Sequence, residues 1–372
     1  MLYLDNSATT KIEDEVFEAM LPFLKEEYGN PSSKYYAAAT NSHTAVENAR
    51  RNIAKLLGTS NKELIFTSGS TEANNMIIKG VADYYSTKGN HIITTSTEHA
   101  SVLETCRYLE SKDFEVSYLS VDKYGRIDLE ELKSTLKSTT ILVSIIWGNN
   151  EIGSLNDIKE ISDICLSNNV FFHTDATQVI GKIDINLEEY PGINFLSCSA
   201  HKFHGPKGVG TVFIKKDQYD ILTPITPLFH GGGQESSIRS GTLAVHNIVG
   251  MGKAAELAKE KITTNILQLQ DSENYLVEIL KSKFHDIVVF NSDTVNKIPG
   301  IINVQFKGIN NEVLLKQLAP VIAASTGSAC SSSKPSHVLD AIGLSLEEIR
   351  NTIRFSMSPH ISKEELEIFK EL

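Results

Sequence analysis

The feature that most constrains the fold is a regular alternation of short apolar segments with amphipathic ones over the first two-thirds of the chain. Segments typical of strands include His91–Thr95, Glu115–Leu119 and Thr140–Ile146. Between them lie segments with helical spacing, such as Ser101–Glu110 and Asp157–Asn168. Apolar strands that alternate with amphipathic helices indicate a mostly parallel sheet covered by helices on both faces.

The same alternation predicts further elements on either side. The remaining strands are predicted at Glu63–Phe66, Val170–Thr174, Phe195–Cys198 and Gly210–Ile214, and the remaining helices at Glu72–Tyr85 and within Ile127–Lys137. From Val245 to Phe284 the pattern is helical, although the Gly-Met-Gly at 250–252 and the Asp-Ser at 271–272 allow breaks or bends.

A smaller α+β unit is predicted after this helical stretch. Its elements are Ile301–Phe306, Glu312–Leu318, Val321–Ala324, Ser336–Ile342 and Asn351–Met357. The amino-terminal segment is expected to pack against this unit. We therefore predict a large domain over residues 15–250 and a small domain formed by residues 1–14 and 251–372.

Composition excludes several classes of protein. The 372 residues are 41% hydrophobic and 22% charged, which excludes a disordered chain or a disulfide-stapled miniprotein. A net charge of −11 argues against direct binding of nucleic acid. No secretory signal is visible, and the longest apolar run, Ile141–Trp147, is too short to cross a bilayer. We expect a soluble cytoplasmic protein that does not bind membranes.

Polar motifs follow several of the predicted strands, where ligands of open parallel sheets bind. The segment Thr67–Asn74 combines small residues with the start of a helix, so its N–H groups could hold an anion. The alternative is an ordinary Ser or Thr N-cap.

Asp175 ends an apolar strand, and a buried carboxylate there needs a cation or a donor, such as a protonated pyridine nitrogen. The alternative is a cap for the next turn.

Two basic motifs lie near the same predicted edge. Lys202 directly follows a strand, and in a partly desolvated site its amine could form a Schiff base. Lys207 lies in a Gly-Pro-Lys-Gly turn that is typical of the surface. His99 could stack on a flat ring or move protons, or could simply be hydrogen-bonded. His201 and His204 have metal-ligand spacing without an acidic or thiol partner, so we expect no metal.

Three further positions could contact a ligand. The amides near Asn150 could bind a phenolic oxygen or a carboxylate, or form a plain turn with Asn in the left-handed region. Arg354 alternates with apolar residues in a strand and could bind a carboxylate through two N–H groups, or form a structural ion pair. Among four cysteines, which include no CxxC pair, only Cys330 lies in a long loop of small residues. This setting suits a nucleophile, or a harmless surface thiol.

Together, and in this order, the motifs resemble those of cysteine desulfurases, pyridoxal-phosphate (PLP) enzymes of the class V aminotransferase fold. The resembling segments are Tyr3–Thr10, Gly29–Ser33, Ser68–Glu72, Thr97–His99, Asn149–Gly153, Thr174–Gln178, Ser199–Gly208, Arg239–Thr242 and Gly327–Cys330. The lysine and cysteine motifs are the most specific. The Gly-Ser-Ala-Cys form resembles the long-loop group that serves iron–sulfur assembly or nitrogenase. The implied fold is the α/β fold type I of PLP-dependent transferases, with a seven-stranded-type sheet and a smaller α+β domain.

The resemblance also implies roles for individual residues. Lys202 would carry PLP as a Schiff base and shuttle a proton, Asp175 would pair with the pyridine nitrogen, and His99 would stack on the ring. The phosphate would be bound by Ser70, Thr71, Ser199 and His201, and by Thr242 of a second subunit in a homodimer. Gln178 and Asn150 would contact the phenolic oxygen side. Arg354 and Asn150 would hold the carboxylate of L-cysteine.

The implied reaction removes sulfur from L-cysteine. Cys330 would attack the substrate sulfur, giving alanine and a Cys330 persulfide that passes to an acceptor, either an iron–sulfur scaffold or a tRNA-thiolation enzyme. Two features depart from the family pattern: the loop after Cys330 is about two residues shorter, and Ser236-Ser237 replace Arg-Gly. The alternatives are selenocysteine lyase, another class V aminotransferase and a non-catalytic sulfur carrier.

Overall fold

The computed structural model describes residues 1–327 and 335–371. In this part of the chain the strands are β1 (Leu2–Tyr3), β2 (Leu64–Thr67), β3 (His91–Thr95), β4 (Glu115–Leu119), β5 (Thr140–Ser144), β6 (Phe171–Asp175), β7 (Ile193–Ser199), β8 (Gly210–Ile214), β9 (Val288–Phe290), β10 (Ile301–Phe306), β11 (Ile322–Ala323) and β12 (Thr352–Ser356). The helices are α1 (Asp14–Lys25), α2 (Ala37–Leu57), α3 (Ser70–Tyr84), α4 (Ala100–Glu110), α5 (Leu129–Thr135), α6 (Ile158–Ser167), α7 (Val245–Phe284), α8 (Asn311–Leu318), α9 (His337–Ala341), α10 (Leu346–Arg350) and α11 (Lys363–Leu366).

A seven-stranded sheet forms the centre of the larger part of the molecule, in the order β2-β8-β7-β6-β5-β3-β4. Strands β7, β6, β5, β3 and β4 are parallel to their neighbours, which confirms the predicted, mostly parallel sheet. Strand β8 runs antiparallel to both β7 and β2, so β2 points the same way as the parallel set. The carboxyl ends of all strands except β8 therefore meet at one edge of the sheet.

Apolar cores lie on both faces of this sheet. Successive strand residues face opposite sides: Ile92 packs with helices α3 and α4, whereas Ile93 packs with α1, α2, α6 and α7. Leu142 and Val143 of β5 divide in the same way. Because both faces are covered, β3, β5 and β8 are buried along their whole length.

A second, smaller sheet forms in the carboxyl-terminal part, where β10 pairs antiparallel with both β9 and β12. The amino-terminal segment joins this part, since β1 pairs with β11 and Leu4 shares a core with Val304 and Phe355. The expected packing of the amino-terminal segment is therefore confirmed. The domain boundary at residue 250 falls inside α7 and stays a prediction.

Helix α7 runs unbroken for 40 residues, so the breaks that its sequence allowed do not occur. The glycines serve close packing instead. A Cβ on Gly252 would lie 2.4 Å from the Cα of Ala49 on α2, and one on Gly250 would lie 2.7 Å from the sulfur of Met20 on α1. Small residues here let α7 approach the two other helices closely. Among the described helices, none combines the length and apolarity needed to cross a membrane.

Helices α1 and α2 were absent from the sequence-based prediction. Helix α1 is amphipathic, so its signal was usable, whereas the buried side of α2 includes Ala39, Ser42, Ala49 and Arg50 beside larger apolar residues. A stripe of small and charged residues does not stand out as a hydrophobic face. Burial of Arg50 becomes favourable only because a carboxylate from a distant loop meets it.

That carboxylate is Glu235, in the loop before α7. Its two oxygens accept from both terminal nitrogens of Arg50, at 2.7 and 2.8 Å, and one oxygen also accepts from the backbone N–H of Phe66 at 2.7 Å. Glu235, Ser236 and Ser237 all have positive φ values, of 47°, 56° and 64°. The ion pair thus holds three consecutive residues in the left-handed region, including the two serines that depart from the family pattern.

We expect Ser237→Gly to raise the free energy of unfolding by about 0.5–1 kcal/mol, because glycine adopts a positive φ without strain. The matched control is Ser240→Gly, which lies three residues later and outside this left-handed run. At position 240 glycine only increases the conformational entropy of the unfolded chain, so the free energy of unfolding should fall by about 0.5–1 kcal/mol. Chemical denaturation measures both. Equal losses in the two variants would show that Ser237 is unstrained.

Candidate active site

A cavity of about 590 Å³ opens at the carboxyl edge of the large sheet. Most of the site residues that the sequence predicted line it. They are Ser70, Thr71, His99, Asn150, Asp175, Gln178, His201, Lys202 and Arg354. All of these residues except Arg354 lie at or just after the carboxyl ends of β2, β3, β5, β6 and β7, which the parallel strand direction brings together, whereas Arg354 comes from β12 of the smaller sheet.

Three predicted site residues do not line this cavity in the described part of the chain. Ser199 is buried at the end of β7, and its hydroxyl donates to the carbonyl of Val209 at 3.4 Å. Thr242 is exposed and lies elsewhere, where its predicted contact with a second subunit is untested. Cys330 falls in residues 328–334, outside the described residues.

Lys202 ends the short turn that follows β7. Its Nζ donates to the carbonyl oxygens of Ser7, at 2.5 Å, and Ala8, at 2.8 Å. The amino-terminal segment therefore covers one side of the cavity and contacts the amine directly. Lys207, five residues later, is exposed, as expected for a surface lysine.

A buried hydrogen-bond network connects Asp175 to His99. Asn74 on α3 donates to Asp175 Oδ2 at 2.7 Å and to the hydroxyl of Ser101 at 2.9 Å. That hydroxyl lies 2.8 Å from Nδ1 of His99. Asp175 also caps the next turn, since its Oδ1 accepts from the N–H of Thr177 at 3.0 Å. Both roles considered for Asp175 are thus compatible, one for each oxygen.

His99 is the N-cap of α4, and its ring is neutral at neutral pH. Burial lowers its pKa; the negative charge of Asp175 opposes this effect, and the positive charge of Lys202 adds to it. Because the backbone N–H of Ser101 donates to Nδ1 at 3.1 Å, Nδ1 carries no proton. The proton of the neutral ring is then on Nε2, so His99 offers an N–H donor.

The start of α3 provides uncapped N–H groups. Its N-cap is Gly69, which makes no side-chain hydrogen bond, so the predicted alternative of a Ser or Thr cap is wrong. Gly69 has φ 152° and ψ 178°, a conformation that essentially only glycine adopts. Glu72, on the first turn, is held by Arg239 through its Nε at 2.8 Å. Ser70 and Thr71 are therefore presented at a helix terminus suited to an anion.

Arg354 is almost fully buried in β12, yet its guanidinium reaches the cavity. It donates to the carbonyls of Asn150, at 2.9 Å, and Gly327, at 3.1 Å, and pairs with Asp5 at 2.6 Å. Its Nε has no hydrogen-bond partner among the described residues. The predicted ion pair therefore exists, and it orients a cation at the wall of the cavity.

The three described cysteines are poor nucleophiles. Cys106, Cys165 and Cys198 are fully buried, and burial raises the pKa of each thiol to about 12. A thiol with such a pKa is protonated at neutral pH, and the thiolate is the reactive form. This agrees with the structural roles that the sequence indicated for them.

The two histidines considered as metal ligands line different cavities, His201 the active-site cavity and His204 a smaller one. His204 instead lies beside Glu13 and His360, and one ligand atom from each falls within 4.8 Å of the others. These atoms already bond to protein: Nδ1 of His204 lies 3.0 Å from the carbonyl of Lys11, and Glu13 contacts His360 directly. We interpret the three as a hydrogen-bonded cluster that lines this smaller cavity.

Sequence reasoning missed several residues of the site. Asn74 lies one helical turn after Ser70, so its position in the motif was a usable signal. Glu98 and Lys182 gave no signal, because a sequence does not show whether a charged residue beside a motif is buried. Glu98 accepts from the N–H of Ile146 at 2.6 Å, and burial raises the pKa of its carboxyl well above the usual value.

The sequence is similar to those of known proteins along nearly its whole length. The sequence matches the family described as aminotransferase class-V over residues 2–369. The cysteine desulfurase IscS of Dictyoglomus turgidum is 46% identical over 368 residues, which cover 98% of this chain and 91% of the relative. The cysteine desulfurase IscS of Haemophilus influenzae strain PittGG is 43% identical over 370 residues, with 98% and 90% covered.

Solved structures agree with these sequence relationships. A NifS-like protein superposes with a TM-score of 0.92 at 38% identity, covering 100% of this chain and 97% of the other. SspA, solved in complex with cysteine, superposes with a TM-score of 0.85 at 34% identity, covering 97% and 100%.

Proposed function

The chain belongs to the aminotransferase class-V family and is a cysteine desulfurase, and from this premise we propose how its own residues perform the activity. The observation that carries the proposal is the convergence of Lys202, Asp175 and His99 on one cavity from three separate strand ends. An amine, a buried carboxylate and a neutral imidazole are the groups that chemistry on an amino acid bound to PLP requires.

The hydrogen-bond donors that line the cavity suit PLP, the cofactor of this family. The uncapped start of α3 and the side chains of Ser70, Thr71 and His201 suit a phosphate group. The buried hydroxyl of Thr177 has no partner among the described residues, which leaves a polar group for a bound molecule. When bound, PLP supplies an electron sink for the substrate carbon.

Each predicted residue then has a role. Lys202 is the amine that would hold the cofactor aldehyde covalently and later move the proton on the substrate Cα. Asp175, oriented by the hydrogen bond from Asn74, would pair with the pyridine nitrogen. His99, held by Ser101, would stack on the ring and offer its Nε2 proton as a donor. Gln178 and Asn150 would contact the phenolic oxygen side.

Arg354 would bind the carboxylate of L-cysteine together with Asn150. In this structure its terminal nitrogens contact carbonyls and Asp5, and its unpartnered Nε is a donor for a further oxygen. Binding of a carboxylate would satisfy this buried group, which otherwise costs free energy. Ser199, which lies behind Gly69, would contribute to the phosphate site from β7.

Cys330 would be the nucleophile, because the other three thiols are buried and protonated. Its thiolate sulfur would form a bond to the sulfur of the substrate as the substrate carbon–sulfur bond breaks. The electron pair of that bond goes to carbon, which is protonated and leaves as alanine, and Cys330 keeps the second sulfur as a persulfide. Acceptor proteins, either an iron–sulfur scaffold or a tRNA-thiolation enzyme, would then take this sulfur.

A homodimer would complete the site, with Thr242 of the second subunit at the phosphate. Thr242 is exposed at the end of a glycine-rich loop, which leaves its side chain available to a partner. The cytoplasmic setting is part of the same proposal.

One assay tests the function against its alternatives. The purified protein with PLP and L-cysteine should release sulfide, with a reductant present, and alanine in equal amounts. Formation of a keto acid instead would indicate a transaminase, and no turnover would indicate a sulfur carrier. Selenocysteine in place of cysteine, compared by kcat/KM, separates a desulfurase from a selenocysteine lyase.

A further inference from the structure

A second lysine, Lys182, lies beside the candidate site without a role in the mechanism above. It is only 9% exposed, and with Lys202 it lines a small enclosed cavity of about 40 Å³ behind the active site. Its Nζ donates to Oε1 of Gln178 at 3.1 Å. Lys182 is thus a buried amine one hydrogen bond away from a residue of the proposed cofactor site.

The charge of Lys182 is not balanced locally. Among the described residues it makes no ion pair with a carboxylate, and the charges that act on it, Lys202 and Arg354, are both positive. Burial, reinforced by these two cations, lowers the pKa of Lys182 to about 7. A buried ammonium without a counter-ion destabilises a fold, so its presence indicates a use other than stability.

Other charged and titratable groups line the same small cavity. They are Glu13, His204, Lys261 and His360. Glu13 lies beside the two histidines rather than Lys182, so the one carboxylate among the described residues of this cavity is already engaged.

Hydrogen bonds connect Lys182 to Lys202 through two residues. Gln178 receives the Lys182 ammonium on its carbonyl oxygen and donates from Nε2 to the carbonyl of Ser7 at 2.9 Å. The same carbonyl accepts from Lys202 at 2.5 Å. An ammonium has only donors, so it fixes which end of the Gln178 amide is oxygen and which is nitrogen.

We propose that Lys182 is a positioning residue of the active site: its ammonium orients the Gln178 amide with the NH₂ group toward the site, and its positive charge disfavours a proton on the Lys202 nitrogen. This inference rests on the proposed function, in which Lys202 holds PLP. A neighbouring cation is a recognised way to keep a lysine nitrogen unprotonated and reactive. The polarised amide of Gln178 also becomes a stronger donor to the phenolic oxygen side.

The test is a pH titration of the visible absorbance of the PLP-loaded enzyme, in the wild type and in Lys182→Met. Methionine fills a similar volume without charge. We expect the titration midpoint of the variant to rise by about one pH unit, since one unit is a tenfold change in proton affinity and loss of a nearby cation favours the protonated nitrogen. Lys182→Arg, which keeps the charge, should restore the midpoint. Lys261→Met, an exposed lysine of the same cavity, should leave it unchanged.

Thermal melting of the cofactor-free protein separates positioning from a structural role. The pKa of Lys182 is lowered in the folded state, so the cost of its charge is full below about pH 7 and declines as pH rises toward the unfolded value near 10.4. Lys182→Met should therefore raise the melting temperature at pH 6 more than at pH 9. A merely structural lysine would give a lower melting temperature in the variant.

The outcomes are distinct. A wild-type protein that takes up no PLP refutes the proposed function itself. Coloured wild type and variant with equal midpoints would overturn the positioning role of Lys182, and so would a variant that melts at a lower temperature at both pH values. Should Lys182→Arg fail to fold because of its size, the midpoint of Lys182→Met alone decides.

Discussion

Lys202→Ala should lower turnover of L-cysteine by at least about 10³-fold, because the variant loses both the covalent hold on the cofactor and the group that moves the Cα proton. The variant should also lose the visible absorbance of the lysine–cofactor link. Lys202 donates to the carbonyls of Ser7 and Ala8, so the amino-terminal segment loses two contacts in the variant. Steady-state sulfide release and an absorbance spectrum measure both effects.

Lys207→Ala is the matched control for this experiment. Lys207 belongs to the same short motif but is exposed, and it does not line the active-site cavity. We expect turnover and absorbance within a factor of about two of the wild type, as for surface substitutions in general. A Lys202→Ala protein that is folded, coloured and active would refute the assignment of Lys202.

Cys330→Ser should abolish formation of the enzyme persulfide while leaving the PLP absorbance intact. A serine hydroxyl is not a thiolate and does not attack sulfur, so the carbon–sulfur bond of the substrate remains. Mass spectrometry of the protein after exposure to L-cysteine should show a mass gain of one sulfur in the wild type and none in the variant. Loss of turnover should accompany the loss of the persulfide.

Cys106→Ala is the control for this second prediction. The Cys106 thiol is buried on α4, and burial raises its pKa to about 12, so its removal should leave persulfide formation unchanged. Persulfide that persists in Cys330→Ser and disappears in Cys106→Ala would contradict the assignment. The pull-down of acceptor proteins with the wild type and with Cys330→Ser would then identify which partner takes the sulfur.

Much of the fold was predictable because it depends on local pattern. The strands His91–Thr95, Glu115–Leu119 and Gly210–Ile214 have the bounds expected from sequence. Strands covered on both faces contain apolar runs that are visible without any knowledge of neighbours, whereas Glu115–Leu119 is an edge strand and only partly buried. The amphipathic helices between them were equally clear.

Two of the errors in the fold prediction share one cause. Helix α2 was missed and breaks were allowed in α7, at the two places where glycine, alanine and arginine lie in a helix contact. Gly252 packs on Ala49, and Arg50 is neutralised by Glu235. Whether a small or charged residue supports or interrupts a helix depends on the residues that it packs against, and these cannot be identified from one segment of sequence.

In the candidate site, too, some features could be predicted from sequence and others could not. Residues in motifs at strand ends, such as Asp175, His99 and Lys202, were predictable, because parallel strands bring their carboxyl ends to one edge. The contacts that hold them were not. Asn74 bonds to Asp175 across 101 positions of sequence, and Lys202 bonds to Ser7 across 195.

The sequence by itself determined the parallel sheet, the chemistry of the groups at its edge and the resemblance that links them to a desulfurase. Only the tertiary structure decided which of those groups are buried, which carry a proton and which partners fix their orientation. The tautomer of His99, the raised pKa of Glu98 and the burial of Lys182 without a nearby carboxylate are examples. The physical reason is that desolvation and charge coupling depend on distances between residues remote in sequence, and those distances exist only once the chain has folded.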